Sequence, residues 1–101
     1  MLNSLFARID SKREELVSFT QELVRIPTIN PPGEDYLKCA ELLGNRLAKS
    51  GFSLLYERAK NTPRDSERYP RHNVIARFEG KHSGPCVHFN GHLDVVVTGN
   101  G

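Results

Sequence analysis

The stretch Cys86-Val87-His88-Phe89-Asn90-Gly91-His92-Leu93-Asp94-Val95-Val96 reads as a short buried β-strand that runs into a glycine, a histidine and an aspartate. A strand end is a rigid mount for a ligand, and the loops just beyond it are where sites are built. His92 offers an imidazole nitrogen, the commonest side-chain metal ligand. Asp94 lies two residues on, so in extended backbone it faces the same side as His92. A carboxylate placed there can clamp the ring and raise the basicity of its other nitrogen. Gly91 admits a backbone kink that a Cβ would resist. These residues alone also carry a plainer reading, and by themselves it weighs more: polar side chains finishing a strand. His88 shares the parity of His92, but lone strand histidines are usually packed or hydrogen-bonded, so a His88/His92 ligand pair is the lesser reading.

Moving back along the chain, Asn73–Phe78 is expected to be a second strand, with Val74, Ala76 and Phe78 alternating against Ile75 and Arg77. Phe52–Arg58 reads as a strand with Phe52, Leu54 and Tyr56 on one face. Between them, residues 59–71 are polar and mix Lys60, Arg64, Arg68 and Arg71 with Asp65 and Glu67. This reads as a solvated loop, with a basic recognition loop the weaker reading. A helix from about Glu34 to Ser50 presents Tyr36, Leu37, Ala40, Leu43 and Leu47 inward. Glu34 and Asp35 suit its positive end and Lys49 its negative one. Ser50-Gly51-Phe52 reads as its C-cap, with Gly51 left-handed and Phe52 folding back. Residues 2–24 read as an amphipathic packing helix, and Ser11-Lys12-Arg13-Glu14 fits a capping box at which it begins or restarts. Pro27 ends that helix. Ile26-Pro27-Thr28-Ile29-Asn30-Pro31-Pro32-Gly33 then reads as a stiff, extended connector.

The sequence has 101 residues, 38% hydrophobic and 26% charged, with a formal net charge of +2. That is ordinary globular composition, and the charge is too small to imply a nucleic-acid or anionic-membrane partner. No apolar run approaches the roughly 20 residues that a membrane span requires. The start lacks a basic segment followed by an apolar core, so no secretory signal is expected. Cys39 and Cys86 form no CxxC pair and are expected to be reduced, buried thiols in a cytoplasmic protein. Three strands and two helices leave an exposed sheet edge and apolar face, so the chain is expected to be the N-terminal part of a longer protein.

Two stretches together carry a resemblance. Leu23-Val24-Arg25-Ile26-Pro27-Thr28-Ile29-Asn30-Pro31-Pro32-Gly33 resembles the segment closing the first helix in the co-catalytic metallopeptidases of the acetylornithine deacetylase, succinyl-diaminopimelate desuccinylase, aminoacylase and glutamate carboxypeptidase family. Gly91-His92-Leu93-Asp94-Val95-Val96 looks like the first metal motif of that family, and Asn73-Val74-Ile75-Ala76 fits its preceding strand. The likeness covers nearly all of residues 11–101. One departure is Val97, where the family usually has proline. Thr98-Gly99-Asn100-Gly101 still resembles the family's glycine-containing turn.

The resemblance implies an α/β fold in which this chain, with two helices and three strands of a mixed sheet, is the N-terminal portion of a zinc-peptidase-like helix-sheet-helix sandwich. It implies two Zn2+ ions per full-length subunit, with Co2+ or Mn2+ as substitutes, and a dimerisation domain later in the protein that makes a homodimer. His92 falls on the first metal ligand and Asp94 on the acidic residue that braces it, the one position here that inherits a catalytic role. The bridging aspartate, the general-base glutamate and the remaining ligands are expected beyond Gly101. The implied reaction is hydrolysis of the amide bond of a small N-acyl amino acid, or of a dipeptide, by metal-activated water. A catalytic zinc takes about three protein ligands plus water, so residues 1–101 alone are expected to bind zinc weakly and hydrolyse nothing. The competing reading is an inactive fragment or a non-enzymatic interaction module that keeps the fold.

Overall fold

The helix Tyr36–Lys49 is the element on which the two strands pack, and its small residues explain how. The computed structural model describes residues 1–99. In chain order they form α1 (Leu2–Ser11), α2 (Arg13–Val24), α3 (Tyr36–Lys49), β1 (Ser53–Arg58) and β2 (His72–Arg77). On α3, Tyr36, Cys39, Ala40 and Gly44 are buried, a set at helical spacing along one face. Leu37, expected inward, is instead exposed, because the buried arc of α3 is centred on the Tyr36–Ala40–Gly44 line. A Cβ on Gly44 would overlap the Tyr56 hydroxyl and stand 2.8 Å from the Tyr56 Cζ. Glycine there lets β1 approach the helix closely.

β1 and β2 pair antiparallel, from Ser53 opposite Arg77 to Arg58 opposite His72. Leu54 and Tyr56 stand opposite Ala76 and Val74, so all four share the face turned towards α3. The C-cap of α3 has the expected form. Gly51 has φ +91°, the Gly51 N–H donates to the Ala48 carbonyl at 3.0 Å, and the Phe52 N–H donates to the Leu47 carbonyl at 3.2 Å. The Phe52 ring meets Phe78 with centroids 5.3 Å apart.

Several expectations are corrected. Among the described residues the sheet has two strands rather than three. Cys86–Asn90 is exposed throughout and joins no ladder; an extended segment becomes a strand only when a neighbour takes up its backbone groups. Cys86 is therefore exposed, whereas Cys39 is buried as expected and its thiol pKa is raised by that burial. The helix of residues 2–24 restarts next to Ser11, one of its expected forms, with the break at Lys12, whose N–H donates to the Ile9 carbonyl at 3.0 Å. Ser11 makes no capping box; its hydroxyl donates back to the Arg8 carbonyl at 2.7 Å. The connector 26–33 is not extended but turns, with the Gly33 and Glu34 N–H groups both donating to the Ile29 carbonyl. Asn100-Gly101 of the expected glycine turn lies outside the described residues.

α1 and α2 bury no residue. Leu2, Leu5, Phe6, Ile9, Leu16, Val17 and Val24 are each half or more exposed, so the expected packing role of their stripe is not realised among the described residues. What ties α2 to α3 is the Glu15–Arg46 ion pair and the Arg46 guanidinium, 5.1 Å from the centroid of the Phe19 ring. The radius of gyration, 16.4 Å, exceeds the about 13 Å of a compact 100-residue chain.

The fit of Tyr56 over Gly44 sets a double-mutant test. Gly44→Ala gains about 1 kcal/mol of helix propensity but meets an overpacking cost of about 1–3 kcal/mol against Tyr56. Urea denaturation should show Gly44→Ala to be less favourable in the wild-type background than in Tyr56→Ala, where the propensity gain is freed. Equal effects in both backgrounds would mean that Tyr56 does not limit the approach.

Candidate functional site

The site forms where residues 28–30 run alongside residues 93–95. Val95 N–H donates to the Thr28 carbonyl and Asn30 N–H to the Val95 carbonyl, each at 2.9 Å, which makes Ile29 and Val95 a parallel bridge. Thr28 is 2% exposed, and its hydroxyl donates to the Leu93 carbonyl at 2.6 Å. A buried hydroxyl needs such a partner, and this one pins the backbone between His92 and Asp94.

Pinned in this way, Asp94 becomes the hub of a polar chain. Its Oδ2 accepts from the Asn30 Nδ2 at 2.9 Å. Its Oδ1 lies 2.8 Å from the His92 Nδ1, and its carbonyl oxygen lies 2.9 Å from the same nitrogen. Both oxygens can only accept, so Nδ1 is the donor. In the neutral ring Nε2 therefore holds the free lone pair. The His92 side chain is 84% exposed and that of Asp94 33% exposed, so the ring points to solvent while the carboxylate is set back. The Asn30 amide, and to a lesser degree His92, hold the Asp94 carboxyl below the usual carboxylate range, against the opposing effect of partial burial.

Behind Asn30 stands Arg71. One terminal nitrogen donates to Asn30 Oδ1 at 3.1 Å and to the Pro32 carbonyl at 3.2 Å. The other donates to the Tyr36 hydroxyl at 3.2 Å. The guanidinium lies 5.3 Å from the Tyr36 ring centroid. Burial and then the Asp94 charge push the Tyr36 phenol pKa up. The Arg71 Nε is buried without a hydrogen-bond partner, which costs about 1–3 kcal/mol. The Arg71 backbone N–H donates to Asp65 Oδ1 at 2.8 Å, and Asp65 is gripped by Arg58 through contacts of 3.2 and 3.1 Å. Residues 59–71 are thus not simply the expected solvated loop: the Asp65 side chain is 5% exposed and anchors the loop.

The structure brings His92 and Asp94 together, as their spacing predicts. His88 lies in the exposed segment 86–90. Among the described residues no three His, Cys, Asp or Glu side chains converge, so these residues do not by themselves make up the about three protein ligands of a catalytic zinc, and His92 fits as one of them. Sequence reasoning missed Thr28, Asn30 and Arg71. The first two sit in a motif it quoted only for its prolines and likeness, and Arg71 looked like one basic loop residue among four.

No family model matches the chain, and no solved structure matches it. The chain is similar to N-formyl-4-amino-5-aminomethyl-2-methylpyrimidine deformylase of Halalkalibacterium halodurans, at 28% identity over 97% of this chain and 22% of that protein. It is also similar to succinyl-diaminopimelate desuccinylase of Buchnera aphidicola subsp. Baizongia pistaciae, at 32% identity over 84% of this chain and 19% of that protein. The chain spans about a fifth of the length of these curated relatives. Among the described residues no helix is long and apolar enough to cross a membrane.

Because Asp94 has a depressed folded pKa, its contribution to stability is present above the unfolded-state pKa and is lost as pH falls through the folded value. Removing its main stabilising partner with Asn30→Ala should move the Asp94 carboxyl titration, followed by carbon-13 NMR on the metal-free protein, to higher pH. The acid-side loss of stability that Asp94 contributes should become smaller and be complete at higher pH, its onset being fixed by the unfolded-state pKa. An unmoved titration would contradict the role given to the Asn30 amide.

Proposed function

We propose that this chain is part of the catalytic domain of a metal-dependent amidohydrolase that cleaves the amide bond of small N-acyl amino acids. On this reading His92 is a ligand of the first metal and Asp94 is its bracing carboxylate. The observation that carries the proposal is the Nδ1 contact with Asp94, which leaves an exposed Nε2 free to take a cation. Support comes also from the similarity to two proteins whose names, deformylase and desuccinylase, describe removal of an acyl group. Their greater length agrees with a catalytic domain that continues past these residues and supplies the other ligands and a general base.

A bound Zn2+, or Co2+ or Mn2+ in its place, supplies Lewis acidity and a water molecule acidic enough to ionise near neutrality. The residues of this chain hold and orient. Asp94 accepts a hydrogen bond from the Nδ1–H of His92 and so fixes the tautomer and the ring plane, the arrangement that makes the opposite nitrogen a better ligand. Asn30 fixes the carboxylate, and Thr28 fixes the backbone that carries it. A cytoplasmic homodimer acting on an N-acyl amino acid or dipeptide, without nucleic-acid or membrane partners, completes the proposal.

The test is metal titration and kinetics on the complete protein with an acyl-amino-acid panel. Asp94→Ala should lower metal affinity or turnover by about 10- to 100-fold, the range for loss of a group that orients a ligand. Unchanged affinity and rate would remove Asp94 from the mechanism, and metal-independent or absent hydrolysis by the wild type would favour an interaction module.

A further inference from the structure

The Asn30 amide presents a choice that the Asp94 carboxylate cannot make. An amide turned by 180° would aim its oxygen at Asp94, oxygen against oxygen, and the hydrogen bond would become a repulsion. Arg71 makes the choice. Its terminal nitrogen donates to Asn30 Oδ1, so the amide nitrogen is left to face Asp94 Oδ2. Asp94 Oδ1 then receives Nδ1 of His92. The guanidinium is itself held by the Tyr36 hydroxyl and the Pro32 carbonyl, and the backbone N–H of the same residue by Asp65. Arg71 also keeps a buried Nε with no partner, which marks its place as set by the terminal nitrogens rather than by full satisfaction of the side chain.

We propose that Arg71 is a positioning residue for the site, acting through the orientation of the Asn30 amide to hold Asp94 and hence to set the proton on His92 Nδ1. The inference rests on the metal reading only for its consequence, a His92 Nε2 ready for a cation; the relay itself is a property of the metal-free chain. A rigid fork is required, because one end of the guanidinium serves Asn30 and Pro32 while the other serves Tyr36. A lysine has the charge but not this geometry.

The experiment is nitrogen-15 NMR of the imidazole of His92 in the complete, metal-free protein above the imidazole titration range, with Co2+ titration alongside. In the wild type the Nδ1–H tautomer should dominate. Arg71→Met should move the tautomer ratio towards Nε2–H by roughly three- to tenfold, the scale of one lost hydrogen bond. It should also weaken Co2+ by roughly tenfold, the lower end for outer partners of a ligand. Arg71→Lys should shift the ratio in the same way. Asn30→Leu, which leaves Arg71 on Tyr36 and Asp65, should reproduce the shift even where Arg71→Met fails to fold. A ratio unchanged in Asn30→Leu, or fully restored by Arg71→Lys, overturns the relay. If Co2+ binds at His92 and no variant moves the ratio, the relay falls and the metal reading stands. If the ratio shifts but wild-type Co2+ never contacts His92, the metal reading falls and the relay stands.

Discussion

The Asp94 carboxylate is the contact on which the site depends. One oxygen takes the Asn30 amide and the other faces the His92 ring, so a single side chain joins the turn after α2 to the segment that follows residue 90. These two segments share few other bonds: the paired backbone contacts of Thr28 and Asn30 with Val95, and the Thr28 hydroxyl on Leu93. A carboxylate with both oxygens occupied by donors is stabilised in its charged form, which agrees with its lowered pKa. The order matters physically. Buried Thr28 fixes the backbone, the backbone aims the carboxylate, and the carboxylate leaves an imidazole standing in solvent with a defined tautomer.

Around that contact runs a frame of charge-assisted hydrogen bonds, which are stronger than neutral ones. Arg58 grips Asp65, whose oxygen also takes the Arg71 backbone N–H. Arg71 then spans Tyr36, Pro32 and Asn30. The frame starts from the end of β1, crosses the loop to β2, and meets the first turn of α3. The β1–β2 hairpin and α3 therefore bear on the site through Arg58 and Tyr36. Gly44 and Ala40 have a part in this, because the close approach they allow sets the distance between the hairpin and the helix that carries Tyr36.

How much of this could be read in the sequence divides along local and non-local lines. The His92–Asp94 pair was legible because two residues apart in extended backbone is a local geometry. The α3 C-cap at Gly51 and the two paired strands were legible for the same reason, each boundary falling within two residues of the expected one. The break at Lys12 was half legible. Its position next to Ser11 was expected, but the hydroxyl chose the Arg8 carbonyl over a capping role. Cys86–Asn90 has strand composition, and no residue in it shows whether a neighbouring strand accepts its backbone. Arg71 and Asn30 lie 41 positions apart, and nothing in either residue's surroundings along the chain announces that they meet.

The central claim is that Asp94 holds His92 so that Nε2 is the atom offered to a divalent cation. Anomalous diffraction from a crystal of the complete protein loaded with Zn2+ addresses it directly. The account predicts zinc bonded to the His92 Nε2 while Nδ1 stays on the Asp94 carboxylate. Zinc bound away from this ring, or bonded through Nδ1 with Asp94 turned aside, would contradict it.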